Sequence, residues 1–318
     1  MKNYFSVHDI DSVSDWVAEA KDLKKNPLGY SQLGKNKTLG LLFFNPSLRT
    51  RLSTQKAALN LGMNVMVMNF TGEGWSLELE EGIVMDQGNS EHIKEAAQVI
   101  SQYCDILAIR AFATLEDRDD DYSEKVLKGF IKYATIPILN MESATGHPLQ
   151  ALTDAITIDQ FKIQKRPKVV MSWAPHPKAL PQAVANSFAA IAQRLDVEFV
   201  VTHPKGYELS DQIVPSACVE YDQEIALKNA DFVYVKNWSA YHEYGKVLQK
   251  DMLWKISKEK IALTNNAKVM HCLPVRRNVV IDDAVLDSKN SIVIQQAHNR
   301  TVAAQLVLQK LLKGNNHE

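Results

Sequence analysis

Cysteine is scarce in this chain of 318 residues: Cys104, Cys218 and Cys272 are the full set. An odd number at wide spacing fits neither a disulfide framework nor a zinc site, and reduced thiols suit a cytoplasmic setting. An excess of one charge is also lacking, since 36 basic residues meet 37 acidic ones and the net charge is -1. Without a broad positive field the chain is not expected to bind nucleic acid, so any functional arginine acts locally. No apolar run approaches the length of a bilayer crossing, and Met1 to Ile10 is polar, without the apolar core of a signal peptide. Neither a P-loop nor a GxGxxG fingerprint is present, which argues against a nucleotide site. Internal repeats and low-complexity stretches are missing as well.

What is present is an alternation of short apolar runs with segments of helical period. Thr38–Phe44, Val65–Phe70, Ile106–Ile109 and Ile136–Leu139 are expected strands, with helices over Leu48–Leu61, His92–Tyr103 and Glu124–Tyr133 between them. Gly62 sits where a helix end calls for a left-handed residue. A second series follows, with strands expected at Val169–Trp173, Glu198–Thr202, Phe232–Val235, Val269–Met270 and Ile292–Ile294. Its helices are expected at Pro181–Leu195, Gln223–Asn229 and Ala297–Leu312. Strands and helices in this alternation imply βαβ units and parallel sheets. The fold class is therefore α/β: two doubly wound parallel-sheet domains, expected over residues 1–145 and 146–318. A helix over His147–Phe161 lies between the domains, and the long amphipathic C-terminal helix is expected to return to the first.

The apolar run Leu39–Phe44 stops abruptly at Asn45-Pro46-Ser47-Leu48-Arg49-Thr50-Arg51 and turns into a helix. A helix N-terminus offers unpaired N–H groups and the positive end of its dipole to an anion, and the hydroxyls and guanidinium forks add donors. The same residues also suit a capped helix with two solvated arginines. Arg110 stands alone in the apolar stretch Ile106–Phe112 and needs an anion, either a structural partner or a ligand. His147-Pro148-Leu149-Gln150 is a helix start with proline in its first turn, and also a source of donors to a polarised carbonyl. Trp75, in the glycine-rich turn 71–76, either packs on the surface or meets a partner. Cys272 has only His271 near it in sequence and reads as an inert thiol. Polar residues at strand ends, among them Glu142, Lys236 and Asn299-Arg300, place a doubly charged anion between the domains.

Together, Ser47-Leu48-Arg49-Thr50-Arg51, Arg110, His147-Pro148-Leu149-Gln150 and His271-Cys272-Leu273-Pro274 resemble the transcarbamylases of carbamoyl phosphate, in the family's order over residues 37–313. The resemblance implies that Ser47, Leu48, Arg49, Thr50 and Arg110 hold the phosphate, and that His147, Gln150, Leu273 and Arg300 surround the carbamoyl group. Trp75 and Cys272 join the carbamoyl phosphate set on the same ground. It further implies a cis Leu273-Pro274 bond and a homotrimer with active sites shared between neighbours. The implied catalytic set is Arg49, Thr50, Arg110, His147 and Arg300, which stabilise an oxyanion and a leaving phosphate, with no metal and no organic cofactor.

The resemblance narrows the acceptor. Ornithine transcarbamylases carry an Asp in a D-x-x-x-S-M-G loop that meets the α-ammonium of ornithine, whereas this chain reads Val235-Lys236-Asn237-Trp238-Ser239 there. Two like charges at ~4 Å cost roughly 4 kcal/mol at an effective dielectric near 20, so the acceptor is expected to be an ornithine with an acylated, uncharged α-nitrogen. Trp75 looks like the tryptophan that acyl-ornithine transcarbamylases lend to the neighbouring subunit, and Glu142, His176, Lys236 and Arg276 match positions on their acyl-ornithine side. Acetylornithine members carry a Glu at the position matching Ser90, and succinylornithine members a Pro. Without a carboxylate there, and with Lys178 as a positive partner, charge favours N-succinyl-L-ornithine; N-acetyl-L-ornithine is the alternative. Ser90 also suits the N-cap of a helix from Glu91. A more distant reading is a non-catalytic α/β protein that binds a phosphorylated metabolite.

Overall fold

Parallel strands buried on both faces read as apolar runs, and two sets of them build this structure. The computed structural model describes residues 1–70, 75–86, 88–215, 217–249 and 251–314. The first sheet holds β1 (Thr38–Phe43), β2 (Asn64–Asn69), β3 (Ile106–Arg110) and β4 (Ile138–Glu142) in the order β2-β1-β3-β4, every pair parallel. The second holds β5 (Lys168–Ala174), β6 (Glu198–Thr202), β7 (Cys218–Glu220), β8 (Phe232–Asn237) and β9 (Lys268–Met270) in the order β9-β8-β5-β6-β7, again all parallel. In each sheet the strand order reverses beside the first strand, which is where open α/β sheets present a crevice at their carboxyl ends.

The main helices are α1 (Val13–Lys25), α2 (Leu48–Asn60), α3 (Ile93–Tyr103), α4 (Lys125–Tyr133), α5 (Pro148–Phe161), α6 (Ala183–Ala192) and α7 (Val293–Gly314). Alternate side chains of a strand point to opposite faces, and the core divides accordingly. Leu39, Leu41 and Phe43 of β1 and Ile106 and Ala108 of β3 pack with residues of α1, α2, α5 and α7, whereas Leu42, Leu107 and Ile109 pack under α3 and α4. Gly62 closes α2 with a φ of +81°, and a Cβ there would stand 2.1 Å from the Ser31 carbonyl oxygen.

The sequence expectations hold for the α/β class and the parallel sheets, and one element is corrected. Ile292–Ile294 is not a strand: α7 begins at Val293, and only Ser291 makes an isolated bridge to Val269. A three-residue apolar run cannot be told from a helix start by period, and Ile294 is in fact exposed. Asn299 and Arg300 accordingly lie within a helix and not beyond a strand. The sequence reading also passed over α1, although Ser12 caps it and Val13, Trp16, Val17, Ala20 and Leu23 form its buried stripe. Helix α7 returns across the first sheet's core to pack on α1, α2 and α5.

One edge of the first sheet is covered, since Tyr4 N donates to Ile138 O at 2.9 Å and its carbonyl accepts from Asn140 N at 2.8 Å. The other edge, β2, leaves Met66 and Met68 exposed. Leu308 of α7 is fully buried in the core of the first sheet. Leu308→Ala is expected to cost about 2–5 kcal/mol, read as a lower urea midpoint of unfolding; an unchanged midpoint shows that the docking of α7 does not support the fold.

Candidate active site

The site begins where β1 runs out. The chain turns through Asn45 and Pro46 into α2, and the Ser47 hydroxyl caps that helix by accepting from Thr50 N at 3.3 Å. The first-turn N–H groups of α2 and the Arg49 side chain then border a cleft. Arg110 is the last residue of β3, where the register with β4 shifts between Ile109 and Arg110. Its Nε donates to Glu142 Oε2 at 3.1 Å, and its Nη1 donates to the Asn45 and Pro46 carbonyls at 2.9 Å each. Arg110 is thus ion-paired and yet lines the cleft, where Nη2 is free of these bonds. The Asn45 and Pro46 bonds also fix the turn that presents the N-terminus of α2.

His147 precedes Pro148 at the start of α5 and is anchored by its N–H, which donates to Ser187 Oγ at 2.8 Å. Arg300 reaches this point from α7. Its Nη2 donates to Thr50 Oγ1 at 2.8 Å and lies 3.4 Å from His147 Nε2, while its Nη1 donates to Gln150 Oε1. The second sheet supplies the opposite wall. Lys236 lies near the end of β8, with its Nζ 3.8 Å from Cys272 Sγ. The turn after β9 carries a cis Leu273–Pro274 bond, and the Leu273 N–H donates to His271 Nδ1 at 2.8 Å. Beyond β5, His176 Nε2 accepts from Arg276 Nε at 3.2 Å.

These groups enclose a cleft of about 520 Å³ at the carboxyl ends of both sheets. Of the residues expected at the site, Ser47, Leu48, Arg49, Thr50, Arg110, Glu142, His147, His176, Lys236, Cys272, Leu273, Arg276 and Arg300 line it. Gln150 stands behind Arg300 instead of on the wall, fully buried. Three others lie outside this chain's own cleft. Trp75 is half exposed and donates from Nε1 to Glu91 Oε2 at 3.0 Å, and the turn residues 71–74 before it lie outside the described residues. Ser90 is exposed and bonds through its N–H to Ser76 O at 2.9 Å. It is not a helix cap, because His92 caps α3 by accepting from Lys94 N. Lys178 is exposed and meets His176 only through its backbone. The sequence reading did not assign Phe112, Leu180, Pro181 and Val184, which add apolar surface to the wall; as ordinary apolar positions they carry no signal that separates a wall from a core.

The electrostatics follow from burial beside several cations. Among the described residues, Arg49, Arg110, Lys236, Arg276 and Arg300 line the cleft with Glu142 as the one carboxylate. Burial pushes Glu142 above the usual carboxylate range, although Arg110, Arg300 and Lys236 pull it down. Burial holds His147 well below the ordinary histidine value, and the charges of Arg300, Arg110 and Lys236 add to this. The imidazole is therefore neutral, with one ring nitrogen to donate and one to accept, and adds no further positive charge. His271 is shifted the same way by burial, Lys236, Arg49 and His176. Such a cleft suits a dianion near α2 and a second, carboxylate-bearing molecule near Lys236 and Arg276. Among the described residues no group of three or more His, Cys, Asp or Glu could hold a metal ion, and no helix is long and apolar enough to cross a membrane.

Similarity to known proteins agrees with this arrangement. Residues 2–160 match the family model of the carbamoyl-P binding domain of aspartate/ornithine carbamoyltransferase, and residues 181–311 match that of its Asp/Orn binding domain. The chain is 53% identical to an N-succinylornithine carbamoyltransferase of Bacteroides thetaiotaomicron, with 99% of each covered. It is 37% identical to an N-acetylornithine carbamoyltransferase of Xanthomonas axonopodis pv. citri, over 93% of this chain and 91% of that one. A crystal structure of N-acetyl-L-ornithine transcarbamylase with one glutamate replaced by serine, complexed with carbamyl phosphate and N-succinyl-L-norvaline, superposes with a TM-score of 0.91. That match has 35% identity and covers 98% of this chain and 100% of the other.

The depressed pKa of His271 has a measurable consequence. In the unfolded chain the ring takes a proton near pH 6.5, while in the folded chain it stays neutral well below that. Its contribution to stability is complete above pH 6.5 and is lost as the pH falls. Relative to His271→Gln, the wild type is expected to lose about 1.4 kcal/mol per pH unit below pH 6.5, measured by urea unfolding. A difference that stays constant with pH shows that His271 titrates alike in both states.

Proposed function

The chain belongs to the aspartate/ornithine carbamoyltransferase family, and on that premise we propose that it carries the carbamoyl group of carbamoyl phosphate to the δ-amine of N-succinyl-L-ornithine. The products are N-succinyl-L-citrulline and phosphate, a step of arginine biosynthesis. The observation that carries an acylated acceptor is Lys236, buried in β8 on the wall opposite α2, where a free α-ammonium would meet a cation and an α-carboxylate would meet a partner; the choice of succinyl over acetyl rests on the uncharged Ser90. N-succinylornithine carbamoyltransferase is also the name of the 53% identical relative. Glu142, His176 and Arg276 complete the acyl-ornithine side.

In this reading Ser47, Leu48, Arg49, Thr50 and Arg110 hold the phosphate, with Cys272 on the wall beside it. His147, Gln150, Leu273 and Arg300 surround the carbamoyl group. The δ-amine attacks the carbamoyl carbon. Arg300, His147 and Thr50 stabilise the oxygen as it becomes negative, and phosphate leaves towards Arg49 and Arg110, taking up the amine proton. The groups are already fixed by their own hydrogen bonds, so catalysis is mainly proximity and preorganised charge. Residues 1–145 are assigned to carbamoyl phosphate and 146–318 to the acyl-ornithine, in a cytoplasmic enzyme.

The enzyme is read as a homotrimer in which Trp75 and Ser90 serve a neighbour's cleft. Both lie on one exposed stretch outside their own cleft, tied together through Ser76. Beside them, Met66, Met68, Phe70, Val99 and Tyr103 line an apolar hollow of about 370 Å³ with Trp75. A contiguous apolar patch of this kind suits a second copy of the chain, and its continuity with the Trp75 stretch supports that occupant.

The deciding experiment is carbamoyl phosphate turnover with N-succinyl-, N-acetyl- and free L-ornithine. The succinyl compound is expected to be best and free ornithine poor, and efficient citrulline formation from free ornithine overturns the reading of Lys236. Ser90→Glu is expected to shift preference towards the acetyl compound, by a like-charge penalty of about 1–4 kcal/mol, or roughly five- to a thousand-fold in kcat/KM. An unchanged ratio removes Ser90 from the acyl pocket.

Sharing of sites is tested by mixing. Trp75→Ala and Arg49→Ala are each expected to be nearly inactive, the second because a charge-assisted bond is worth roughly 1.5–3 kcal/mol. Unfolded and refolded together, they are expected to regain part of the activity through hybrid sites that carry neither defect. No recovery, or full activity in a dilute monomer, places Trp75 outside any neighbour's cleft.

A further inference from the structure

Asp154 is fully buried in α5, is not among the residues lining the cleft and has no part in the chemistry above. Its Oδ1 accepts two hydrogen bonds, one from Gln150 Nε2 at 2.7 Å and one from Gln296 Nε2 at 2.7 Å. Each glutamine turns its carbonyl oxygen the other way. Gln150 Oε1 accepts from Arg300 Nη1, and Gln296 Oε1 accepts from the His271 N–H at 2.9 Å. Both ends of this chain are groups that can only donate, a guanidinium and a backbone amide. With an acceptor in the middle, one orientation of both amides satisfies every bond. The network thus spans both walls of the cleft, from Arg300 and Thr50 on one side to the His271–Pro274 turn on the other.

We propose that Asp154 is a positioning residue, whose Oδ1 fixes the side-chain amides of Gln150 and Gln296 and through them the catalytic guanidinium of Arg300 and the turn after β9. The role needs an acceptor atom and not a full negative charge. Burial pushes the Asp154 carboxyl up to about 7, opposed by the hydrogen bonds from Gln296 and Gln150, by the nearby Tyr234 hydroxyl and by the charge of Arg300. Whether ionised or protonated on Oδ2, the carboxyl still offers Oδ1 to both glutamines. This inference rests on the proposed roles of Arg300 and Gln150.

The test compares Asp154→Leu and Asp154→Asn with the wild type, using carbamoyl phosphate and N-succinyl-L-ornithine, with folding checked by thermal melting. Leucine keeps the branched shape without an acceptor but is larger, so its folding check matters; asparagine is nearly isosteric with aspartate and keeps Oδ1. The leucine variant is expected to lose about a hundred-fold in kcat, as misplacement of a catalytic group by ~1 Å can cost. The asparagine variant is expected to recover to within about five-fold of wild type. A leucine variant with wild-type kcat shows that Asp154 only fills space, and an asparagine variant as slow as leucine shows that charge is what counts; either overturns the proposal. Should the leucine variant not fold, Gln296→Met carries the test: a lower kcat in a folded protein supports the network, and wild-type kcat overturns it. Wild-type turnover in the same assay checks the functional reading separately, and a wild type with no turnover overturns both.

Discussion

The guanidinium of Arg300 is the point on which the rest of this structure turns. It projects from α7 and bonds the first turn of α2 through Thr50 and the first turn of α5 through Gln150, beside His147. Three helices from distant parts of the chain therefore meet around one buried charge. Such a charge is costly unless its donors are engaged, and here only its Nε lacks a partner. The arrangement explains why α7 runs back over the first core instead of ending on the second sheet: the apolar side of the helix buys the position and the arginine uses it.

A second constraint is the imbalance of charge in the cleft. Several cations share one wall carboxylate, and that carboxylate is engaged by Arg110. The protein tolerates this by turning two carbonyl oxygens towards Arg110 and by keeping His147 and His271 neutral. Deprotonated rings can accept from neighbouring donors, as His271 Nδ1 does from Leu273 N, where protonated ones would add to the repulsion. The cleft is thus arranged for anions, which relieve the crowding of positive charge as they bind.

Much of this was legible in the sequence, for physical reasons that also explain the rest. Parallel strands read as apolar runs, and the polar residues that interrupt them at strand ends, such as Arg110 and Lys236, stand out because burial there needs a reason. The residues from Ser47 to Arg51 could be read because a helix start has a local chemical signature. Phe112 and Val184 could not, since an apolar residue on a cleft wall obeys the same pattern as one in a core. The Ile292–Ile294 segment was misread because its apolar run is shorter than one helical period of evidence. Asp154 sits in a helix that is buried all round from Pro148 to Ile158, so no amphipathic stripe marks it. Its importance comes from partners 4 and 142 residues away, and such a network exists only once the chain has folded.

The return of α7 bears on the order of events during synthesis. Leu306, Leu308, Leu311 and Leu312 belong to the same core as Tyr4, Trp16 and Leu39, although the whole second sheet lies between them in the chain. As the polypeptide leaves the ribosome, the first sheet emerges early and waits, with one apolar face unfinished, until the last helix is free to cover it. The second sheet has no such debt to a later segment beyond the first turn of α7, and can close sooner. The half made first is then the half completed last, and nascent chains of this protein are exposed to chaperones and to aggregation through the first sheet for most of translation.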